Sequence, residues 1–209
     1  MPKRFFALFV GFSLFLFFVF FSYLVHKNFF TQVDFNTTVR LQDNIPRRLD
    51  DLFSLLSDIG SFEVMTPILI VVLLLRRKLL GIFFFFSYFA FHLFELYGKF
   101  FVEHTPPPEF MLRTRRVLDF PQFHVRAENS YPSGHAGRTI FISIVLFLLI
   151  WKSKKLSPNQ KTWLLSIIIG FNIVMMISRV YLGEHWTSDV IGAAILAAGL
   201  AIGTYAIAK

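Results

Sequence analysis

The stretch FFALFVGFSLFLFFVFFSYLV, residues 5–25, contains no charged side chain. An α-helix needs about 20 predominantly apolar residues to cross the hydrocarbon core of a bilayer. The stretch meets that requirement, and it has neither the short apolar core nor the small-residue cleavage site of a secretory signal peptide. We therefore predict a retained transmembrane helix here.

Further apolar runs of similar character follow along the 209-residue chain, which is 55% hydrophobic and 16% charged. The fold class predicted is therefore all-α: a polytopic membrane protein with six transmembrane helices, forming a single membrane domain over residues 1–209. The predicted spans are residues 5–25, 60–75, 79–100, 134–151, 162–182 and 188–208.

A short amphipathic segment lies between the first two predicted spans. In LDDLFSLLSDI, residues 49–59, apolar side chains recur at helical spacing, at Leu49, Leu52, Phe53, Leu56 and Ile59. This pattern is typical of a helix that lies on a membrane surface or over the bundle. We predict such a helix, acting either as a connector or as a gate over the substrate site.

The basic residues predict the orientation of the chain. The net charge is +8, and Lys and Arg collect at the ends of apolar runs rather than on a nucleic-acid-binding face. Such clusters favour the cytoplasmic side of a membrane. Residues 3–4, 76–78, 152–155, Lys161 and Lys209 are therefore expected to be cytoplasmic, together with both termini. The outer segments are then residues 26–59, 101–133 and 183–187.

Ionisable residues lie at the outer ends of the predicted spans, where they are costly and therefore functional candidates. The third span ends near Lys99, and the fourth begins within YPSGHAGR, residues 131–138. The fifth and sixth flank SRVYLGEHWTSD, residues 178–189. All four ends lie on the same side of the membrane, so their polar groups can converge at one site.

PSGHAGR has the features of an anion site at a helix N-terminus. Ser133 is a good N-cap, and Gly134 opens the first turn of the fourth span. The free N–H groups of such a turn suit an anion, which Gly134 lets approach closely. Ser133 could donate its hydroxyl, and His135 could give or take a proton. The alternative is an ordinary capped helix with an interfacial histidine.

SRVYLGEHWTSD offers a cation and a histidine–carboxylate pair. Arg179 can hold a phosphoryl group bidentately. Asp189 lies four residues after His185 and could fix its tautomer, which would leave the other imidazole nitrogen as a nucleophile or base. The alternative is a salt-bridged interfacial loop.

Metal-dependent chemistry is a weaker alternative. The chain has no cysteine, so disulfides and thiolate metal sites are excluded. Neither a carboxylate cluster nor an HExxH motif is present, and the closest pairing of candidate ligands is HxxxD. We therefore expect no metal and no other cofactor. The nominal metal ligands are His104, His124, His135, His185 and Asp189.

Together these motifs resemble those of the type-2 phosphatidic acid phosphatase superfamily, the membrane relatives of the vanadium haloperoxidases. The third family motif, Ser-Arg, five residues, His, three residues, Asp, is complete in SRVYLGEHWTSD. The second, PSGH, is complete at residues 132–135. The first, Lys, six residues, Arg-Pro, reads KFFVEHTPP, in which Lys99 and Pro107 match but Pro106 replaces the arginine.

Another arginine is expected to supply the charge missing at Pro106. Arg138 lies three residues after His135, near the same helix face, and is the first choice. Lys99 should serve the site too, although it could simply pair with Glu95 or Glu103. The alternatives to Arg138 are Arg113, Arg115 and Arg116 of the same outer segment.

The resemblance implies a role for each matching residue. His185 would be the nucleophile that forms a phosphohistidine, Asp189 would orient it, and His135 would protonate the leaving oxygen. The phosphate would be held by Lys99, Ser133, the Gly134 N–H and Arg179, joined by Arg138.

The resemblance also implies an activity and a location. The expected reaction is hydrolysis of a lipid phosphate or diphosphate, of the undecaprenyl diphosphate, phosphatidylglycerophosphate, phosphatidate or lipid A 1-phosphate type. It would take place at the outer face of a bacterial inner membrane, with lipids as partners and without nucleic acid. Two alternatives remain open: a lipid phosphotransferase using the same site, and a non-catalytic lipid-binding or transport protein. The sequence leaves the oligomeric state open.

Overall fold

The computed structural model describes residues 2–76, 80–115 and 128–207, and these are helical without any strand. The expectations placed on Arg77, Lys78, Arg116, His124 and Lys209 lie outside the described residues. The described α-helices are, in chain order, α1 (Pro2–His26), α2 (Thr31–Asn44), α3 (Asp50–Ile59), α4 (Phe62–Arg76), α5 (Leu80–Phe101), α6 (Gly134–Lys152), α7 (Pro158–Tyr181) and α8 (Thr187–Ile207).

Five of the described helices, α1, α5, α6, α7 and α8, are long and apolar enough to cross a membrane. The prediction of an all-α polytopic membrane protein is confirmed, and these helices begin and end within a few residues of the predicted spans.

The second predicted span differs from the other five. Helix α4 has 15 residues, with Pro67 inside it. At 1.5 Å per residue it reaches about 22 Å, less than the roughly 30 Å of a hydrocarbon core. Residues Arg47–Ile59 and Phe62–Leu74 are together long and apolar enough for one span, with a bend of 48° between them. The described residues therefore contain five helices of spanning length, or six spans if this bent pair counts as one.

The segment between α1 and α4 contains two α-helices, whereas the sequence predicts one. Helix α3 confirms the amphipathic helix, and Phe53 packs edge-on against Tyr181 of α7 with ring centroids 5.1 Å apart. The buried face of α3 also carries polar side chains, among them Ser57 and Asp58, which turn toward the end of α7. Helix α3 thus covers the bundle end rather than lying free on a membrane surface.

The bundle packs tightly around α8, whose buried face consists largely of small residues such as Ala193, Ala197 and Ala201. Helix α1 lies against α8 so closely that a Cβ atom at Gly11 would be 2.7 Å from the Cα of Gly203. Small residues permit this kind of helix approach within a membrane. The remaining surface of α1 is rich in exposed phenylalanine, as expected for contact with lipid.

The polar ends of α5, α6, α7 and α8 meet at one end of the bundle. The Ser133 N–H donates to the Asp189 carbonyl over 3.1 Å, which joins the start of α6 to the start of α8. The Arg138 Nε donates to the Gly60 carbonyl over 3.2 Å, which joins α6 to the bend between α3 and α4. The helix ends that carry the predicted site residues therefore converge.

Candidate active site

A cavity of about 470 Å³ lies at this polar end of the bundle. Its wall is partly apolar, through Phe62 and Leu96, and partly charged. Six of the eight predicted site residues line it, namely Lys99, Gly134, His135, Arg138, Arg179 and His185. The structure therefore brings together residues that the sequence distributes over three motifs.

Ser133 and Asp189 lie directly behind this wall. The Ser133 Oγ accepts the Ala136 N–H over 3.5 Å, so Ser133 is the N-cap of α6, as predicted. Its side chain is fully buried and does not line the cavity. Ser133 shapes the helix N-terminus that faces the cavity, and Asp189 reaches the cavity through His185.

A Cβ atom at Gly134, where α6 begins, would need the space that the ends of the Glu95 and Arg138 side chains occupy. A Cβ atom there would lie 1.9 Å from Glu95 Oε1 and 2.7 Å from Arg138 Nη1. The absence of a side chain lets charged groups reach the first turn of α6, where free N–H groups favour anions.

His185 and Asp189 form a buried pair. The His185 Nδ1 lies 3.2 Å from Asp189 Oδ2, which also accepts the Trp186 N–H over 3.0 Å. With Nδ1–H donated to the carboxylate, the Nε2 lone pair is left for a substrate. Burial lowers the pKa of His185 to about 4, against the opposing influence of Asp189. The imidazole is therefore neutral at neutral pH and can act as a nucleophile.

A second imidazole contacts the same carboxylate. The His104 Nδ1 lies 2.7 Å from Asp189 Oδ1, and the His104 Nε2 lies 3.7 Å from Asp34 Oδ2. Asp34, on α2, accepts from the Ser188 N–H and hydroxyl over 2.8 and 2.6 Å. The sequence suggests His104 only as a nominal metal ligand and does not single out Asp34. The sequence gives one indication that His104 belongs to the site: it lies inside the first-motif segment, two residues before Pro106.

Both buried arginines of the cavity already have carboxylate partners. Arg179 contacts Glu184 and the Ser57 hydroxyl. The Arg138 Nη1 lies 3.4 Å from Glu95 Oε2, which also contacts His92. Glu95 is thus held by Arg138 and His92, rather than serving as the simple ion-pair partner of Lys99. These two glutamates are site residues that the sequence motifs do not assign.

The described alternatives to Arg138 are engaged elsewhere. The Arg113 Nη1 donates to the Gln42 carbonyl over 3.0 Å, and its guanidinium lies 5.1 Å from the centroid of the Tyr181 ring. Arg115 pairs with Asp51 over 3.3 Å. Neither Arg113 nor Arg115 lines the cavity, whereas Arg138 does. Among these described candidates, Arg138 is therefore the arginine best placed to supply the charge missing at Pro106.

His135 lies between this cavity and a second one of about 390 Å³. Pro106, Pro107 and Glu184 line the second cavity together with His135. A histidine between two cavities can exchange a proton with a group in either of them. Among the described residues, no group of three or more His, Asp or Glu side chains is arranged to hold a metal ion.

The family model of the PAP2 superfamily matches residues 78–209, and the chain belongs to that superfamily. Over 69 residues it is 33% identical to YbjG of Escherichia coli (strain K12), which is provisionally named an undecaprenyl-diphosphatase. That match covers 33% of this chain and only 30% of the length of YbjG.

Two crystal structures have a similar fold. The first transmembrane PAP2 type phosphatidylglycerolphosphate phosphatase from Bacillus subtilis has a TM-score of 0.75 and 21% identity, with 94% of each chain covered. LpxE from Aquifex aeolicus has a TM-score of 0.60 and 21% identity, with 85% of this chain and 96% of that chain covered. At this identity the two structures establish the shared fold.

Proposed function

We propose that this protein hydrolyses a lipid phosphate or diphosphate through a phosphohistidine formed on His185. The observation that carries the proposal is the buried His185–Asp189 pair on a cavity that also presents Arg179, Lys99 and the N-terminus of α6. Fixed cations and a helix N-terminus provide the positioning and charge stabilisation that phosphoryl transfer needs.

The reaction has two steps. In the first, the His185 Nε2 bonds to the terminal phosphorus, and the bond from that phosphorus to the oxygen of the lipid alcohol or lipid phosphate breaks. His135 gives that leaving oxygen a proton. In the second, His135 takes a proton from water as the water oxygen bonds to phosphorus and the phosphorus–Nε2 bond breaks. His185 and His135 are then restored, and inorganic phosphate leaves.

The substrate class follows from the membrane setting and the relatives. Phe62 and Leu96 provide an apolar side to the cavity, where a lipid chain can lie while its phosphate reaches the charged side. The names of the relatives include an undecaprenyl-diphosphatase and a phosphatidylglycerolphosphate phosphatase. We infer that the reaction occurs at the outer face of a bacterial inner membrane, because α6 begins at the cavity and ends at Lys152, and basic residues favour the cytoplasmic side.

The deciding experiment is phosphate release from a panel of lipid phosphates and diphosphates in detergent, with EDTA present. The wild-type protein should release phosphate with EDTA present, and His185→Ala should lose activity by on the order of 10³-fold or more. His26→Ala is a matched control, because His26 lies at the end of α1 outside the cavity.

Each other outcome points to a specific alternative. A product that appears only with an added acceptor would favour a phosphotransferase. Activity abolished by EDTA would favour metal-dependent chemistry. No release from any substrate would favour a non-catalytic lipid-binding protein, and full activity in His185→Ala would exclude the phosphohistidine.

A further inference from the structure

Asp189 lies between two imidazoles, one on each carboxylate oxygen. His185 occupies Oδ2 at 3.2 Å, and His104 occupies Oδ1 at the shorter distance of 2.7 Å. The Asp189 side chain is completely buried and that of His104 is 6% exposed. A hydrogen bond to a buried carboxylate is strong, and it lowers the tendency of that carboxylate to take up a proton.

His104 is itself held from the other side by Asp34. The His104 Nε2 lies 3.7 Å from Asp34 Oδ2, and Asp34 is fixed by both hydrogen bonds from Ser188. Burial raises the pKa of Asp34, while the hydrogen bonds from Ser188 and the proximity of His104 oppose that rise. Carboxylates on both sides of the ring suit an imidazole that carries protons on both nitrogens, with Nδ1–H donated to Asp189 and Nε2–H facing Asp34. The series Asp34, His104, Asp189 and His185 thus joins α2, the loop after α5, and the start of α8.

We propose that His104, oriented by Asp34, is a positioning residue that keeps Asp189 anionic during turnover and so speeds hydrolysis of the phosphohistidine. The inference rests on the proposed function. When phosphorus is bonded to His185 Nε2, the ring is a good leaving group only while Nδ1 keeps its proton. If Asp189 removed that proton, the phosphohistidine would be neutral and its bond to phosphorus harder to break.

In the second step, His104 affects how readily the His185 imidazole leaves phosphorus. The water oxygen bonds to phosphorus, its proton goes to His135, and the electron pair of the breaking bond returns to His185 Nε2. His104 forms no bond to the substrate in this step. Its hydrogen bond to Asp189 makes transfer of the Nδ1 proton from His185 to Asp189 less favourable, so the imidazole leaves more readily.

Two amide substitutions test the contributions of the two His104 nitrogens separately. In His104→Asn the amide nitrogen occupies the position of Nδ1 and can still donate to Asp189. In His104→Gln the amide nitrogen reaches the position of Nε2, so the contact with Asp34 is kept while the donor to Asp189 is lost. Asp34→Asn weakens the orientation of His104 without changing His104 itself.

The measurement is rapid-mixing turnover of a ³²P-labelled lipid phosphate with an alkaline quench that preserves phosphohistidine. In His104→Gln we expect kcat to fall about tenfold to a hundredfold, the size of effect expected for a lost buried hydrogen bond to a charged group. KM should fall with kcat, and labelled protein should accumulate. His104→Asn should keep kcat within a few-fold of wild type, and Asp34→Asn should show a smaller accumulation.

The inference is overturned if His104→Gln turns over like wild type, or if both His104 variants slow equally without labelled protein. Should His104→Gln fail to fold, Asp34→Asn tests the same role in the labelling assay, and wild-type levels of labelled protein in that variant overturn the inference. If His185→Ala remains active, the proposed function itself fails. Wild-type behaviour of His104→Gln in an enzyme that requires His185 contradicts the role of His104 alone.

Discussion

Glu184 forms an ion pair with the guanidinium of Arg179, which the proposed reaction needs for binding phosphate. It contacts Arg179 and also accepts from the Thr114 hydroxyl, so a phosphate must displace a carboxylate of the same sign. Glu184→Gln should therefore lower KM several-fold, because the neutral amide competes less for Arg179 and repels the substrate less. Steady-state kinetics check this, with Glu109→Gln as the control on an exposed outer position away from the cavity. An unchanged or higher KM in Glu184→Gln would contradict the displacement.

The pKa of His185 makes the reaction tolerant of acid. Burial lowers that pKa to about 4, so His185 is neutral above this pH and becomes protonated as the pH falls through it. A histidine with an ordinary pKa near 6.5 would be only about 3% neutral at pH 5. We expect kcat/KM, corrected for ionisation of the substrate, to hold down to about pH 5 and to fall near pH 4. If the corrected kcat/KM already declined as the pH fell below 6.5, this would contradict the lowered pKa of His185.

The sequence motifs identify those site residues whose spacing reflects one helix end. His185 and Asp189 lie four residues apart on one turn, and Gly134, His135 and Arg138 share the start of α6. The motifs give no sign of Asp34 or of the role of Glu95, and they include His104 only as a position inside the first motif. The contacts of Asp34 with Ser188, of His104 with Asp189 and of Glu95 with Arg138 join residues far apart in the chain, and only helix packing brings such groups together.

At the scale of the elements, Gly134 controls how closely charged groups approach the start of α6. Gly134→Ala should lower kcat/KM by at least about tenfold, because the added Cβ would collide with Glu95 Oε1 and displace the Glu95–Arg138 pair. Alanine ordinarily stabilises a helix relative to glycine, so a loss of activity would not reflect weaker helix formation. Gly170→Ala on α7 is the matched control, since a Cβ atom there meets no atom within 4 Å. Equal activity in both variants would show that the Glu95 and Arg138 side chains can move away from the added Cβ atom without loss of activity.

The helices differ in how well the sequence predicts them. Long apolar runs determine five spans, because the thickness of a bilayer leaves few alternatives for them. Helix α2 escapes prediction because TQVDFNTTVRLQDN alternates polar and apolar residues without a continuous apolar face. Its burial depends on specific contacts, such as those of Asp34 with Ser188 and of Gln42 with the Tyr181 carbonyl. The shortness of α4 is evident in the sequence, because the second predicted span covers only residues 60–75 and contains Pro67.

At the scale of the whole molecule, the contact between α1 and α8 closes the bundle. Gly11→Leu should destabilise the protein, because a side chain at Gly11 would meet the backbone of Gly203 at 2.7 Å. Overpacking of this kind costs about 1–3 kcal/mol. Circular dichroism during heating in detergent should show a lower Tm than wild type. Gly203→Ala is the control on the same interface, because a Cβ atom at Gly203 meets no atom within 4 Å. A Tm equal to that of wild type in Gly11→Leu would exclude a tight α1–α8 contact.

The same contact constrains the order in which the protein is made. Helix α1 leaves the ribosome long before α8 and must reside in the bilayer without this partner, which the uncharged, phenylalanine-rich stretch of residues 5–25 permits. The first turn of α8 also carries Asp189, which orients His185. Docking of α8 onto α1 therefore follows synthesis of the other described helices, and the His185–Asp189 pair can form only after α8 has been made.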